Sequence, residues 1–241
     1  MDRILILQTG TTLPQLAARR GDFAEWFVQA ADLRRGDVET VRVDRGEPLP
    51  VAGRFAAVLV TGSASMVTER SEWSERAAGW LADAVHTNSA PVLGICYGHQ
   101  LLAHGLGGRV DWNPRGRQIG TRMLQTTGQA STDPLFAAVA PGFRAQTTHQ
   151  QSVVEPPPGA QVLASSALDP YQALRFGERA WGLQFHPEFS AGIMAGYIRG
   201  RRERLLGEGL DPVSLLRECG PTPQAHRLLR RFVRLARAGG V

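Results

Sequence analysis

The sequence predicts an α/β fold: a mostly parallel central sheet flanked by helices, with a small antiparallel addition and closing helices toward the C-terminus. Three observations predict it. Short continuous apolar runs alternate with stretches of helical spacing through the first half. From about residue 117 to 185 the pattern changes to several short strands split by Gly and Pro. Beyond residue 190 the helical spacing returns and persists. Strand alternating with helix implies crossover units and a parallel sheet covered on both faces. The short strands that follow read as an antiparallel extension of the same sheet.

In chain order, residues 4–7 form a first buried strand. Phe23, Trp26, Phe27, Ala30 and Leu33 fall at helical spacing and make one apolar stripe. Residues 38–43 alternate apolar and polar, as a half-buried strand does. Residues 56–60 are a continuous apolar run ending at Thr61-Gly62, the mark of a central strand. A helix over 72–88 carries Trp73, Ala77, Trp80, Leu81 and Ala84. Residues 91–95 are the next strand, and 98–106 suit a helix. Residues 156–159 (PPPG) are a loop. Closing helices are expected over 191–207, 212–219 and 223–237, the last two opened by Asp211 and Thr222 with proline at the first helical position. The expected division is one domain over 1–200, with 201–241 a helical extension packed on it.

Hydrophobic residues make up 43% and charged residues 20% of the 241, ordinary values for a soluble globular chain. No apolar run approaches the roughly 20 residues that cross a bilayer. The opening MDRILILQTG has only four consecutive apolar residues, too few for a secretory segment. A membrane partner is therefore not expected, and the expected location is cytoplasmic. Cys96 and Cys219 stand too far apart to suggest a disulfide framework. A reducing compartment leaves Cys96 free for chemistry.

All 27 basic residues are arginine, and the net charge is +5. The isoelectric point near 10.2 thus rests on a group that stays protonated. A nucleic-acid binder would gather that charge into a patch or stripe. Here the arginines are scattered, except over 199–237, where ten stand against four acids with no interleaved aromatic platform. That tail reads as a solvated helix face, which argues against a nucleic-acid partner.

The sharpest chemical signal is Gly94-Ile95-Cys96-Tyr97-Gly98, after an apolar strand and before a helix. This is the context of a nucleophile elbow, with Cys where a hydrolase would carry Ser. A tight turn lifts the side chain above the sheet edge, and the flanking glycines let the chain pass closely. The helix start directs free N–H groups and partial positive charge at the sulfur, favouring the thiolate. A base is then required. Of six histidines, His186 stands out, at the end of a buried strand read over 182–185 and before Pro187-Glu188. Pro187 keeps His186 extended. Side chains two apart on an extended segment face the same way, so Glu188 can reach the imidazole and orient it. The other reading of each motif is structural: a small buried Cys, and a His at a strand end with an unrelated Glu.

His99 and His104 read as packing or surface residues, Cys219 as an inert helix residue, and Trp26, Trp73, Trp80 and Trp181 as core. No C-x-x-C, H-E-x-x-H or G-x-x-x-x-G-K-[ST] spacing occurs, so neither metal nor cofactor is predicted.

Residues 93–100 (LGICYGHQ) and 184–188 (QFHPE), 90 residues apart from Cys96 to His186, resemble the two signature motifs of class I, triad-type glutamine amidotransferases. The likeness is greatest to the glutaminase domain of GMP synthetases and its single-domain relatives, and it covers roughly residues 3–200. It implies a flavodoxin-like sheet and a Cys96–His186–Glu188 triad that hydrolyses the γ-amide of glutamine through a thioester on Cys96. It also implies an oxyanion hole from the backbone of Gly62, Ser63 and Tyr97, and a substrate site including Gln100, His149, Gln150 and Gln151. Ser63 and Ala64 depart from the glycines and proline usual in that loop, and Gln151 stands where an acid is common.

The implied substrate is glutamine or another γ-glutamyl small molecule. Ammonia would pass to a synthetase subunit, or the chain would act alone. A nucleotide loop of the S-G-G-x-D-S type is absent, so no synthetase activity is expected of this chain itself. Two alternatives stay open. A γ-glutamyl peptidase would use the same triad and thioester with a different leaving amine. A catalytically silent binding or regulatory module would keep the fold without the reaction.

Overall fold

The computed structural model describes residues 3–239. Its centre is a nine-stranded sheet. Strand β1 (Ile4–Gln8) lies between β2 (Val38–Arg42) and β3 (Ala57–Val60), parallel to both. Strand β4 (Val92–Ile95) continues the parallel series. The central strands are apolar throughout because both faces are covered. Ile4 and Ile6 point to one layer with Phe27, while Leu5 and Leu7 point to the other with Leu81 and Leu101.

Helix α1 (Pro14–Arg20) and α2 (Phe23–Ala30) follow β1. Asp22 starts α2 with a reciprocal cap: its carboxylate accepts from the Phe23 N–H at 2.8 Å, and Glu25 accepts from the Asp22 N–H at 2.9 Å. Helix α3 (Glu72–His86) and α4 (Tyr97–Gly105) cover the opposite face.

The second half adds β5 (Arg109–Trp112), β6 (Gln118–Thr126), β7 (Gly142–His149), β8 (Gln151–Glu155), β9 (Gln161–Ser165), β10 (Ala173–Gly177) and β11 (Ala180–Leu183). Strand β11 returns parallel to β4, and β10, β9, β6 and β7 extend the sheet antiparallel beyond it. The antiparallel part therefore belongs to the main sheet, as the sequence implied. Strands β5 and β8 instead pair with each other as a separate ribbon.

The C-terminal segment holds α5 (Ala191–Gly200), α6 (Arg202–Gly207), α7 (Pro212–Glu218) and α8 (Pro223–Arg237). Leu228, Leu229 and Phe232 of α8 join the same core layer as Ile4 and Ile6.

Several elements differ from the expectation. Helix α1 has one buried residue, Leu16, too few to mark an apolar stripe. The helix carrying Trp26 stops before Leu33, because Asp32 takes a left-handed backbone with φ 58°. The helix expected over 191–207 breaks at Arg201 (φ −111°, ψ 14°) into α5 and α6. Asp211 caps α7 through the Val213 and Ser214 N–H groups. Thr222 does not cap α8; its hydroxyl is buried without a partner. The arginine tail is more than a solvated face. Arg230 and Arg231 donate to the carbonyls of Ala30 and Pro134, and Arg237 pairs with Asp37 at 3.1 Å.

The chain leaves β1 for β2 on one side and then crosses to β3 and β4 on the other. Such a reversal opens a crevice beyond the carboxyl ends of the strands. The residues after β3, β4 and β11 meet there. Among the described residues no helix is long and apolar enough to cross a membrane.

Candidate active site

Cys96 ends β4 and begins α4, with φ 53° and ψ −100°. A non-glycine residue rarely adopts a positive φ, and one that does is held there by its surroundings. Here the Cys96 N–H donates to the Leu183 carbonyl at 2.7 Å, tying the elbow to the neighbouring strand. The two flanking glycines are required by space. A side chain on Gly94 would run into the Gly98 carbonyl, and one on Gly98 would lie 2.7 Å from the Val60 carbonyl oxygen. Tyr97 is locked by a 2.6 Å hydrogen bond between its hydroxyl and Ser74, and its ring stacks on Trp73.

His186 follows β11. Its N–H donates to the Gln146 carbonyl at 2.8 Å, a single antiparallel bridge to β7. Its ring stacks on Phe189 at 4.0 Å, and Phe189 stacks in turn on Tyr197. Tyr197 hydrogen-bonds Thr12 at 2.7 Å. His186 Nδ1 lies 2.7 Å from Glu188 Oε1, which makes Nδ1–H the donor. The other nitrogen, Nε2, is buried and makes no well-aligned hydrogen bond; Cys96 is its neighbour. A methyl group on Gly62 would sit 3.1 Å from His186 Cε1 and 3.6 Å from Cys96 Cβ, so imidazole and thiol flank one small space.

Burial disfavours a charged imidazole at 186, but the adjacent Glu188 carboxylate and Cys96 sulfur outweigh it and raise its pKa to about 10. The geometry is that of a cysteine beside an imidazole that a carboxylate holds from its other nitrogen. Cys219 is different. It caps the end of α7, and burial pushes its thiol above the ordinary range.

The Gly62–Ser63 loop is fixed from below by two threonines. The Thr9 N–H donates to the Thr61 hydroxyl at 3.0 Å, and the single Thr9 hydroxyl proton is shared between the carbonyls of Thr61 and Gly62, each 3.0 Å away. The Gly98 N–H donates to the Thr61 carbonyl at 3.2 Å, joining this loop to the elbow. The N–H groups of Ser63 and Tyr97 have no protein acceptor among the described residues.

Two hollows meet at Cys96. One, of about 290 Å³, is lined by Gln100, Gln150, Gln151, Arg117 and Arg204. The other, of about 220 Å³, reaches past His186 to Thr12, Phe23 and Tyr197. Ser63, Thr148 and Arg201 line both, and neither has an Asp or Glu on its wall. Larger hollows of about 450 and 640 Å³ lie away from the sulfur, so chemistry and not size picks out the site. Among the described residues no cluster of His, Cys, Asp and Glu is placed to hold a metal ion.

The expected substrate residues are placed unevenly. Gln100 spends its Nε2 on the Gln151 carbonyl at 2.6 Å and on Gln184 Oε1 at 3.0 Å. Gln150 reaches Glu208 at 3.3 Å from the hollow's wall. The Gln151 amide turns to the Thr68 hydroxyl at 2.6 Å. The His149 side chain, expected at the substrate, is only 1% exposed and lies 3.1 Å from Asp169. The residue lines the hollow at Cys96 between Thr148 and Gln150. His99, expected as packing or surface, is fully buried against Phe176, and burial lowers its pKa to about 4. Sequence reasoning missed Thr9, Thr61, Phe189, Tyr197 and Arg201. Only Phe189, directly after Glu188, carried a local signal.

This fold and site define a class. The chain belongs to the class-I glutamine amidotransferase family, whose sequence model matches residues 22–199. Among curated proteins it is 31% identical over 204 residues to a glutamine-hydrolysing GMP synthase of Thermosipho melanesiensis, covering 82% of this chain and 36% of that one. It is 32% identical over 187 residues to the GMP synthase of Thermomicrobium roseum, covering 78% and 32%. The chain thus spans about a third of the length of these relatives. Among solved structures, a glutamine amidotransferase of Thermotoga maritima superposes with a TM-score of 0.77 at 20% identity, covering 98% of both chains. A glutamine amidotransferase of Methylobacillus flagellatus gives 0.70 at 22% identity, covering 100% and 96%. At those identities the likeness speaks for the fold.

Proposed function

We propose that the chain hydrolyses a γ-carboxamide of the glutamine type through a thioester on Cys96. The observation that carries the reading is the His186 ring, held on one nitrogen by Glu188 at 2.7 Å and turned with the other toward Cys96 at the elbow. The thiolate attacks the amide carbon. The oxyanion so formed is held by the free N–H groups of Ser63 and Tyr97, fixed dipoles that need no rearrangement. His186 gives its proton to the leaving nitrogen, and the amine departs. Water then attacks the thioester, His186 takes its proton, and the thiolate is released with the acid product. Glu188 holds the imidazole in the required tautomer throughout.

Gln100, Gln150 and the chain around Gln151 form the wall for the acyl half. His149 lines the same hollow beside them. Serving an ammonia-consuming synthetase subunit and acting alone are both compatible with this chemistry; resemblance to GMP synthases supports the first. Incubating the purified chain with glutamine and a panel of γ-glutamyl amides, with glutamate as the readout, tests the proposal. Glutamate is expected from at least one member. None from any, with the chain folded, overturns the reading.

A further inference from the structure

Arg201 stands at the break between α5 and α6, half-buried, on the wall of both hollows. Its guanidinium lies 4.8 Å over the Tyr197 ring, and its Nη1 donates to the Thr148 hydroxyl at 2.6 Å. Those contacts fix the plane of the group and leave its other donors uncommitted among the described residues. The neighbouring arginines are already paired. Arg117 makes a two-point contact with Glu208 at 2.6 and 2.9 Å, and Arg204 reaches the same carboxylate at 3.4 Å. Arg201 has no carboxylate within ion-pair distance among the described residues. A planar, pre-oriented guanidinium without a counter-ion matches a carboxylate in two-point geometry.

The hollow on the His186 side is the place of the leaving amine, because the imidazole must deliver its proton there. Ammonia occupies about the space of one water, roughly 30 Å³. The hollow measures about 220 Å³. Ammonia alone leaves most of it empty, whereas the amino-acid half of a dipeptide fits.

Resting on the reading of Cys96 and His186 as the acyl-transfer pair, we infer that the preferred substrate is a γ-glutamyl amide whose leaving amine carries a carboxylate, and that Arg201 binds that carboxylate. The balance is that of the reaction above. The C–N bond breaks as the C–S bond forms, the imidazolium proton goes to the departing nitrogen, and the amino acid leaves with its carboxylate released from Arg201.

The test compares γ-glutamylglycine, γ-glutamylglycinamide and glutamine, with glutamate as the readout, on the full chain and on Arg201→Gln and Arg201→Lys. Charge-assisted hydrogen bonds of this kind are worth a factor of about 10 to 100. The native chain should favour γ-glutamylglycine over its amide in kcat/KM by about that factor. Arg201→Gln should bring the ratio close to one, and Arg201→Lys should restore part of it. A native ratio near one overturns the inference, as does a preference that survives Arg201→Gln. An equal loss on all three substrates assigns Arg201 to the glutamyl half and also overturns it. If glutamate comes from glutamine alone, this inference fails while the acyl-transfer reading stands; if it comes from none of the three, both fail.

Discussion

Cys96→Ala removes glutamate release, by a factor on the order of 10⁴ or more, while the chain stays folded. The size follows from the mechanism, because no other thiol is placed to replace it. Cys219 sits at the end of α7 with its thiol pushed up by burial. The retained fold follows from the contacts of residue 96. Its side chain makes no capping hydrogen bond, and its backbone N–H to the Leu183 carbonyl survives the change. Thermal unfolding should therefore move little while initial rates vanish. Measurable turnover above background in Cys96→Ala would reject the assigned nucleophile.

Glu188→Gln slows the reaction by about 10²- to 10⁴-fold and shifts its pH dependence. The glutamine can still accept from His186 Nδ1–H, so the ring keeps its place against Phe189. What is lost is charge. The His186 pKa stands raised to about 10, against the penalty of burial, by Glu188 and Cys96. A raised histidine pKa contributes stability that is fully present below the ordinary value near 6.5 and is lost as pH rises through about 10. The same limit applies to rate, since the leaving amine needs the imidazolium proton. The alkaline limb of kcat/KM should fall near pH 10 in the native chain and move to lower pH in Glu188→Gln. A profile that keeps its alkaline limb, with an unchanged rate, would make Glu188 a bystander.

What could be read in advance divides along physical lines. The elbow was legible because its demands are local. Only small residues fit at 94 and 98, where a Cβ would meet backbone, and that requirement is written beside the cysteine. His186 and Glu188 were legible for the same reason, being two apart on a chain held extended by Pro187. The parallel strands were legible because burial on both faces leaves unbroken apolar runs.

Arg201 was not legible. In the sequence it is one of ten arginines in the tail, and only the break between α5 and α6 turns it to the hollows. Thr9 and Thr61 lie 52 residues apart and acquire meaning only when β1 and β3 pair. His149 was legible as part of the loop that lines the hollow, but its neighbour Asp169, 20 residues downstream, was not. The ribbon of β5 and β8 joins segments too short and polar to declare a partner.

The most direct test is to acid-quench the native chain during turnover of a γ-glutamyl substrate and map the peptides by mass spectrometry. A γ-glutamyl adduct on the peptide bearing Cys96, absent in Cys96→Ala, is the predicted result. An adduct on Cys219, or glutamate release with no acyl group on any cysteine at any time point, would contradict it.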